Sequence, residues 1–95
     1  MGGGVNWERI VAAVELQKAE RWAEFVNRHG DWGRDAALWL GRRLGRLTLG
    51  QLAALAGGLD YAVVGAAVSR FPRRLAQDAD LTKTLRRLED KLSNV

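Results

Sequence analysis

The chain has 95 residues, a formal net charge of +4, 47% hydrophobic residues, one proline and no cysteine. That is the size of one small domain with a modest core. It carries neither disulfides nor a thiolate metal site, and no apolar run approaches the roughly 18 residues of a membrane span. β-Branched residues are few apart from valine, so the composition favours an all-α fold, expected as a compact bundle of about six short helices. Met1–Gly4 reads as a flexible start or an expression remnant, with no signal-peptide pattern, and residues 5–95 as a single helical domain.

Trp7, Ile10, Val11 and Val14 recur at helical spacing behind Asn6, a suitable cap, and form the first helix. Trp22, Phe25 and Val26 begin a second stripe. A single joined helix would turn Lys18 to the buried side, so the two are divided near Gln17 and Lys18, although neither glycine nor proline marks the boundary. Asn27–Gly30 closes the second helix, and Asp31 caps a third whose stripe is Ala36, Ala37, Leu40, Leu44 and Leu47. Gly41 and Gly45 cost this helix roughly 1 kcal/mol each relative to alanine, and a close approach of the following elements is the expected return.

Thr48 and Gln51 stand in capping-box spacing ahead of Leu49, Leu52, Leu55 and Ala56. Gly57 and Gly58 then end that helix in the left-handed conformation. Asp60 caps a fifth helix, with Tyr61, Val64, Ala67, Val68 and Phe71 as its apolar stripe. Two short helices about a glycine turn predict a helix-turn-helix over residues 48–71, the motif whose second helix enters the major groove of DNA. Tyr61, on the stripe, is expected in the core or an interface. Pro72 predicts a kink or break with the direction roughly kept, because Leu75 continues the stripe. Asp78 and Asp80 place negative charge at the start of a last helix with a Leu81, Leu85, Leu88, Leu92 seam. That seam fits the domain's own core or, alternatively, a dimer contact.

Charge is uneven along the chain. Residues 34–74 hold seven basic groups (Arg34, Arg42, Arg43, Arg46, Arg70, Arg73 and Arg74) against Asp35 and Asp60, while the flanking segments are nearly balanced. All seven are arginine, the residue suited to bidentate phosphate and guanine contacts. Enzymatic chemistry is not expected. One histidine (His29) and one tyrosine leave no histidine pair for a metal and no histidine-based triad. Gly57–Gly58 lacks the lysine and serine of a phosphate loop. No catalytic residue, metal or cofactor is assigned.

The run from Arg34, RDAALWLGRRLGRLTLGQLAALAGGLDYAVVGAAV, resembles the C-terminal DNA-binding domain of the bacterial replication initiator DnaA, of the Trp-repressor-like helix-turn-helix group. GDWGRDAALWL, GGLDYA and LEDKLSNV are more similar still to the DnaA-like C-terminal domains of REP-associated tyrosine transposases. The resemblance covers about two thirds of the chain well and the first two helices loosely. It implies a DNA-binding piece of a longer, transposase-related or DnaA-like protein, with a nuclease domain as missing partner and a cytoplasmic, nucleoid-associated location. It also implies a phosphate contact at Thr48 and at the basic positions Arg34, Arg42 and Arg43. The family's arginine and Asp-His-Ser/Thr-Thr after the glycines are here Leu59, Asp60, Tyr61, Ala62 and Val63, which keep only the aspartate.

The resulting expectation is specific. Arg34, Arg42, Arg43, Arg46, Arg73 and Arg74, with the helix end at Thr48, hold phosphates of duplex or hairpin DNA. Ala62, Val63 and Ala66 face the bases and touch thymine methyls, while Ser69 and Arg70 supply hydrogen bonds. So apolar a reading face predicts weak sequence discrimination, with affinity arising mainly from counterion release. The rival expectation is a protein-interaction or dimerisation domain that docks through the same alanine and valine face, with a weak dimer as its homotypic form.

Overall fold

The computed structural model describes residues 4–93, among which the chain is all-helical, without a strand. The helices are α1 (Trp7–Lys18), α2 (Trp22–Phe25), α3 (Trp32–Arg43), α4 (Leu49–Leu55), α5 (Tyr61–Gln77) and α6 (Ala79–Ser93). Most of the flexible-start expectation, on residues 1–3, lies outside the described residues. Gly4 is described, and it lies so close to α3's end that a Cβ there would meet the Leu44 carbonyl. The neighbouring Val5 N–H donates to that same carbonyl at 2.9 Å.

Short polar side chains start the helices by accepting backbone N–H groups that have no partner inside the helix. Asn6 accepts from Arg9, Asp31 from Gly33 and Arg34, Asp60 from Ala62, and Asp78 from Leu81. Thr48 and Gln51 exchange both bonds of the capping box, at 3.1 and 2.8 Å. The α1–α2 boundary, by contrast, carries neither glycine nor proline. Ala19 adopts a left-handed φ of 58°. That conformation costs an L-residue roughly 1–2 kcal/mol, and bonds on either side hold it: Glu15 accepts the Trp22 N–H at 2.7 Å, and Lys18 is anchored across the fold.

Lys18 is buried even though the helices divide beside it, the outcome that dividing them was expected to avoid. Its side chain is only 6% exposed. The ammonium lies 3.1 Å from Asp31 and 3.1 Å from Glu20, over the rings of Phe25 and Trp32. Arg28 completes the cluster, 3.0 Å from both carboxylates. A buried charge is tolerated when it is paired and hydrogen-bonded. Here the pairing also welds α1 and α2 to the start of α3.

Helix α3 packs against α1, α2, α4 and α5. Its buried residues include Gly33 to Leu38, Leu40 and Gly41, which cover nearly every direction around the axis. A one-sided stripe therefore understates its burial; Leu38, off the stripe, is fully buried. Gly41 is where neighbours come closest. A Cβ there would stand 2.6 Å from Leu52 of α4 and 3.1 Å from the Trp7 ring of α1. Gly45 lies beyond the helix, where a Cβ would stand 2.8 Å from the Gly41 carbonyl.

One expectation is corrected, and two that carried alternatives are narrowed. Asn27–Gly30 is a turn rather than the end of α2, which stops at Phe25. Of the kink or break expected at Pro72, the break does not occur: α5 runs through it to Gln77. Fully buried Phe71 holds the run onto α3, while Pro72, which cannot donate to the Val68 carbonyl, is itself exposed. Leu81, Leu85, Leu88 and Leu92 are all buried within the chain's own core, where α6 packs on α1 and α5. Of the two readings of the seam, the domain's own core is the one the fold bears out.

Two outcomes follow from these devices. Asp31→Ala removes a cap and strips Lys18 of one anion, so urea unfolding should show a loss of about 2–4 kcal/mol. Burial pushes the Asp31 carboxyl up, but the bonds from Lys18 and from the Arg34 and Gly33 N–H groups outweigh it and hold it below the usual range. A carboxyl lowered in the folded state stabilises fully above the unfolded value of about 4, and that stability is lost as pH falls through the folded value. The urea midpoint should thus fall below about pH 4, less steeply in Asp31→Asn. Separately, Gly58→Ala should cost about 1–2 kcal/mol, since φ there is +86°.

Candidate nucleic-acid interface

Helices α4 and α5 are joined by the turn Ala56–Asp60. Gly57 and Gly58 have φ of +112° and +86°, conformations that side chains resist. This lets the N–H groups of Gly58 and Leu59 fold back onto the Ala53 carbonyl at 3.0 and 3.1 Å. The turn is also held from outside: the Trp22 indole N–H donates to the Ala56 carbonyl at 3.2 Å. Leu52 and Val64 are fully buried. The two helices lie against each other, and a Cβ at Gly65 would stand 3.7 Å from Leu49, an ordinary contact.

With Val64, Ala67 and Phe71 turned to the core, the opposite face of α5 is open. Ala62, Ser69 and Arg70 are exposed, Val63 is 37% exposed and Ala66 is half-buried. These are the five residues the sequence assigned to base reading, and they share a surface that the fold leaves uncovered. Tyr61 corrects half of its expectation: it is 63% exposed, so it is not in the core. It is the first residue of α5, beside the turn. With Leu55 it adds exposed apolar surface near the turn.

The arginines do not form one ring. Arg34 is corrected outright: it is 5% exposed, and its Nε donates to Asp35 at 3.0 Å, so it is no surface phosphate ligand. It lies in α3's first turn, which the Lys18 cluster draws into the core. Arg74 is engaged too, donating to Asp35 at 3.2 Å from a side chain that is 37% exposed. Arg43 stacks on Trp39 and approaches Glu89 of α6 at 3.9 Å. Arg43 and Arg46 line a depression with Arg9 and Leu92, apart from the α5 face. Arg42 is exposed, with one amino group on the Leu47 carbonyl at 3.1 Å, just before the Thr48 cap. Arg70 and Arg73 are exposed on α5 itself. The cations that accompany α4 and α5 are therefore Arg42, Arg70 and Arg73.

Beside the open face lies a cavity of about 350 Å³. One wall is α5, with Ala62, Val63, Ala66, Ala67, Arg70, Phe71 and Arg74. The other is the entry to α3, with His29, Gly30, Arg34 and Asp35. The contributions of His29, Gly30, Asp35 and Phe71 were not legible in the sequence. A turn and a buried ion pair meet α5 only through the tertiary packing. The one trace was Asp35, one of only two acids in the basic stretch. Among the described residues, no cluster of three or more histidine and carboxylate groups is placed to hold a metal. No helix among them is long and apolar enough to cross a membrane.

No protein-family model, curated protein or solved structure matches the chain.

The pairing around Asp35 makes a contrast that unfolding measurements can read. Asp35→Asn leaves the Arg34 charge buried without its counter-ion and should cost about 3 kcal/mol in urea. Arg74→Ala removes the more exposed partner and should cost under about 1 kcal/mol.

Proposed function

We propose that this chain is a DNA-binding module in which α4 and α5 act as a helix-turn-helix and α5 enters the major groove of duplex or hairpin DNA. The observation that carries the reading is the open α5 face. Ala62, Val63, Ala66, Ser69 and Arg70 remain available on a helix whose other side is locked into the core. A rigid helix with one free face of small side chains can lie close to base edges. Arg42, Arg70 and Arg73 supply phosphate contacts, together with the capped end of α4 at Thr48. In this reading the module is the target-recognition part of a transposase-related or DnaA-like protein, in line with the resemblance of residues 34–68. Apolar contacts to thymine methyls dominate base reading, so sequence discrimination is weak.

A second reading has an observation of its own. Leu55, Tyr61 and Val63 are all exposed near the α4–α5 turn. Apolar surface of that kind can also dock a partner protein or a second copy.

Salt dependence and charge reversal separate the two. With about three phosphate contacts, log K for a duplex should fall with log salt at a slope near −3. Arg70→Glu with Arg73→Glu should weaken binding at least about tenfold and flatten the slope by about 2, whereas Arg43→Glu should change little. Fluorescence anisotropy on duplex, hairpin and single-stranded probes at several salt concentrations reads all three. A slope near zero, or binding that survives the double reversal, sinks the DNA reading. Survival of partner or self-association in the same variant favours docking.

A further inference from the structure

We propose that the cavity between α5 and the entry to α3 binds a small organic oxyanion, a single apolar ring carrying a carboxylate or phosphate. Arg34 lines this cavity. Its side chain is 94% buried, counting the 6% that is exposed. A guanidinium presents five N–H donors in a fixed fork. Among the described residues only the Nε of Arg34 has a hydrogen-bond partner, Asp35 at 3.0 Å. The two terminal amino groups have none, yet no unpartnered side-chain nitrogen is sealed from solvent among the described residues. These groups therefore open onto the space that Arg34 lines, the cavity. A deeply buried guanidinium with free terminal donors matches a carboxylate or phosphate bidentately.

Charge balance points the same way. Three guanidinium groups, of Arg34, Arg70 and Arg74, line the cavity with a single carboxylate, Asp35. Asp35 is already engaged by both Arg34 and Arg74. Positive charge is left over where the walls are otherwise apolar and the field is weakly screened. An anion held there exchanges loosely held water for charge-assisted bonds.

The remaining walls decide what the anion carries. Ala62, Val63, Ala66, Ala67 and Phe71 offer apolar surface beside the arginines. A bare inorganic anion would leave that surface unused. At about 350 Å³ the space lies near the lower end for small-molecule sites, so the body is one ring rather than several. Nothing here rests on the DNA-binding reading, and the test contains no DNA.

The experiment titrates the isotope-labelled full chain with phenyl phosphate and with benzoate, followed by amide chemical shifts. Inorganic phosphate and phenol serve as the probes lacking one half of the ligand. Shifts should centre on Gly30, Asp35, Ala66 and Arg70, with a dissociation constant of roughly millimolar or tighter for the better ring anion. Phosphate alone and phenol should each bind at least about fivefold more weakly. Whichever of phenyl phosphate and benzoate binds more tightly assigns the head group, and either result supports the site. Arg34→Ala removes a buried ion-pair member and endangers the fold, so two milder variants are used. Arg70→Ala deletes an exposed cation at the mouth, and Ala66→Leu fills the space from a half-buried position. Both should weaken binding at least about fivefold while shifts elsewhere stay unchanged. The proposal is overturned if no localised shift develops by concentrations on the order of 20 mM. It is equally overturned if inorganic phosphate binds as tightly as the ring anions, or if the shifts cluster at Arg43 and Arg46.

Discussion

A single charged side chain taken out of water constrains this small fold. Lys18 ends α1 facing inward, and a buried ammonium must be paired. Asp31 and Glu20 supply the anions, Arg28 braces them, and Phe25 and Trp32 cover the ammonium. Asp31 is also the cap of α3. One carboxylate thus sets where α3 begins and how α1 and α2 lie against it. With its start drawn inward, α3 is enclosed on nearly every side, and its first-turn charges, Arg34 and Asp35, enter the interior with it.

That enclosure shapes the rest of the molecule. Because α3 fills the centre, α4 and α5 pack from outside, and Gly41 allows the contact with α4 to be close. The turn between them is held twice: by two glycines in a conformation other residues resist, and by the Trp22 indole on the Ala56 carbonyl. Helix α5 then has one side committed to Phe71, Ala67 and Val64 and the other side free. Long helices gain most of their stability from such an apolar face rather than from intrinsic propensity. This explains why α5 continues through Pro72. The anchoring of Phe71 outweighs one missing backbone bond.

The same arrangement divides the basic residues by role. Arg34 and Arg74 neutralise Asp35 and form part of a cavity wall. Arg43 lies across Trp39 towards Glu89. Arg42, Arg70 and Arg73 stay exposed near the proposed reading helix. An excess of arginine in a stretch of sequence is therefore not one electrostatic surface, and the proposed DNA contact rests on fewer cations than the linear count suggests. The cavity borders the proposed reading face, since Ala62, Val63, Ala66 and Arg70 belong to both.

Local chemistry alone was enough for the helix starts, their caps and the glycine turn. Asn6, Asp31, Thr48 with Gln51, and Asp60 act on backbone groups within a few residues, so spacing in the chain is spacing in space. The free face of α5 was legible for the same reason, because helical phase sorts Val64, Ala67 and Phe71 from Ala62, Val63 and Ala66. What phase does not report is which neighbour arrives. Burial of Arg34, exposure of Tyr61, the use of the α6 leucines inside the core and the cavity at His29–Gly30 all depend on contacts between residues far apart in sequence. Only the tertiary structure decided them, because solvation of a side chain is set by everything packed around it and not by its own helix.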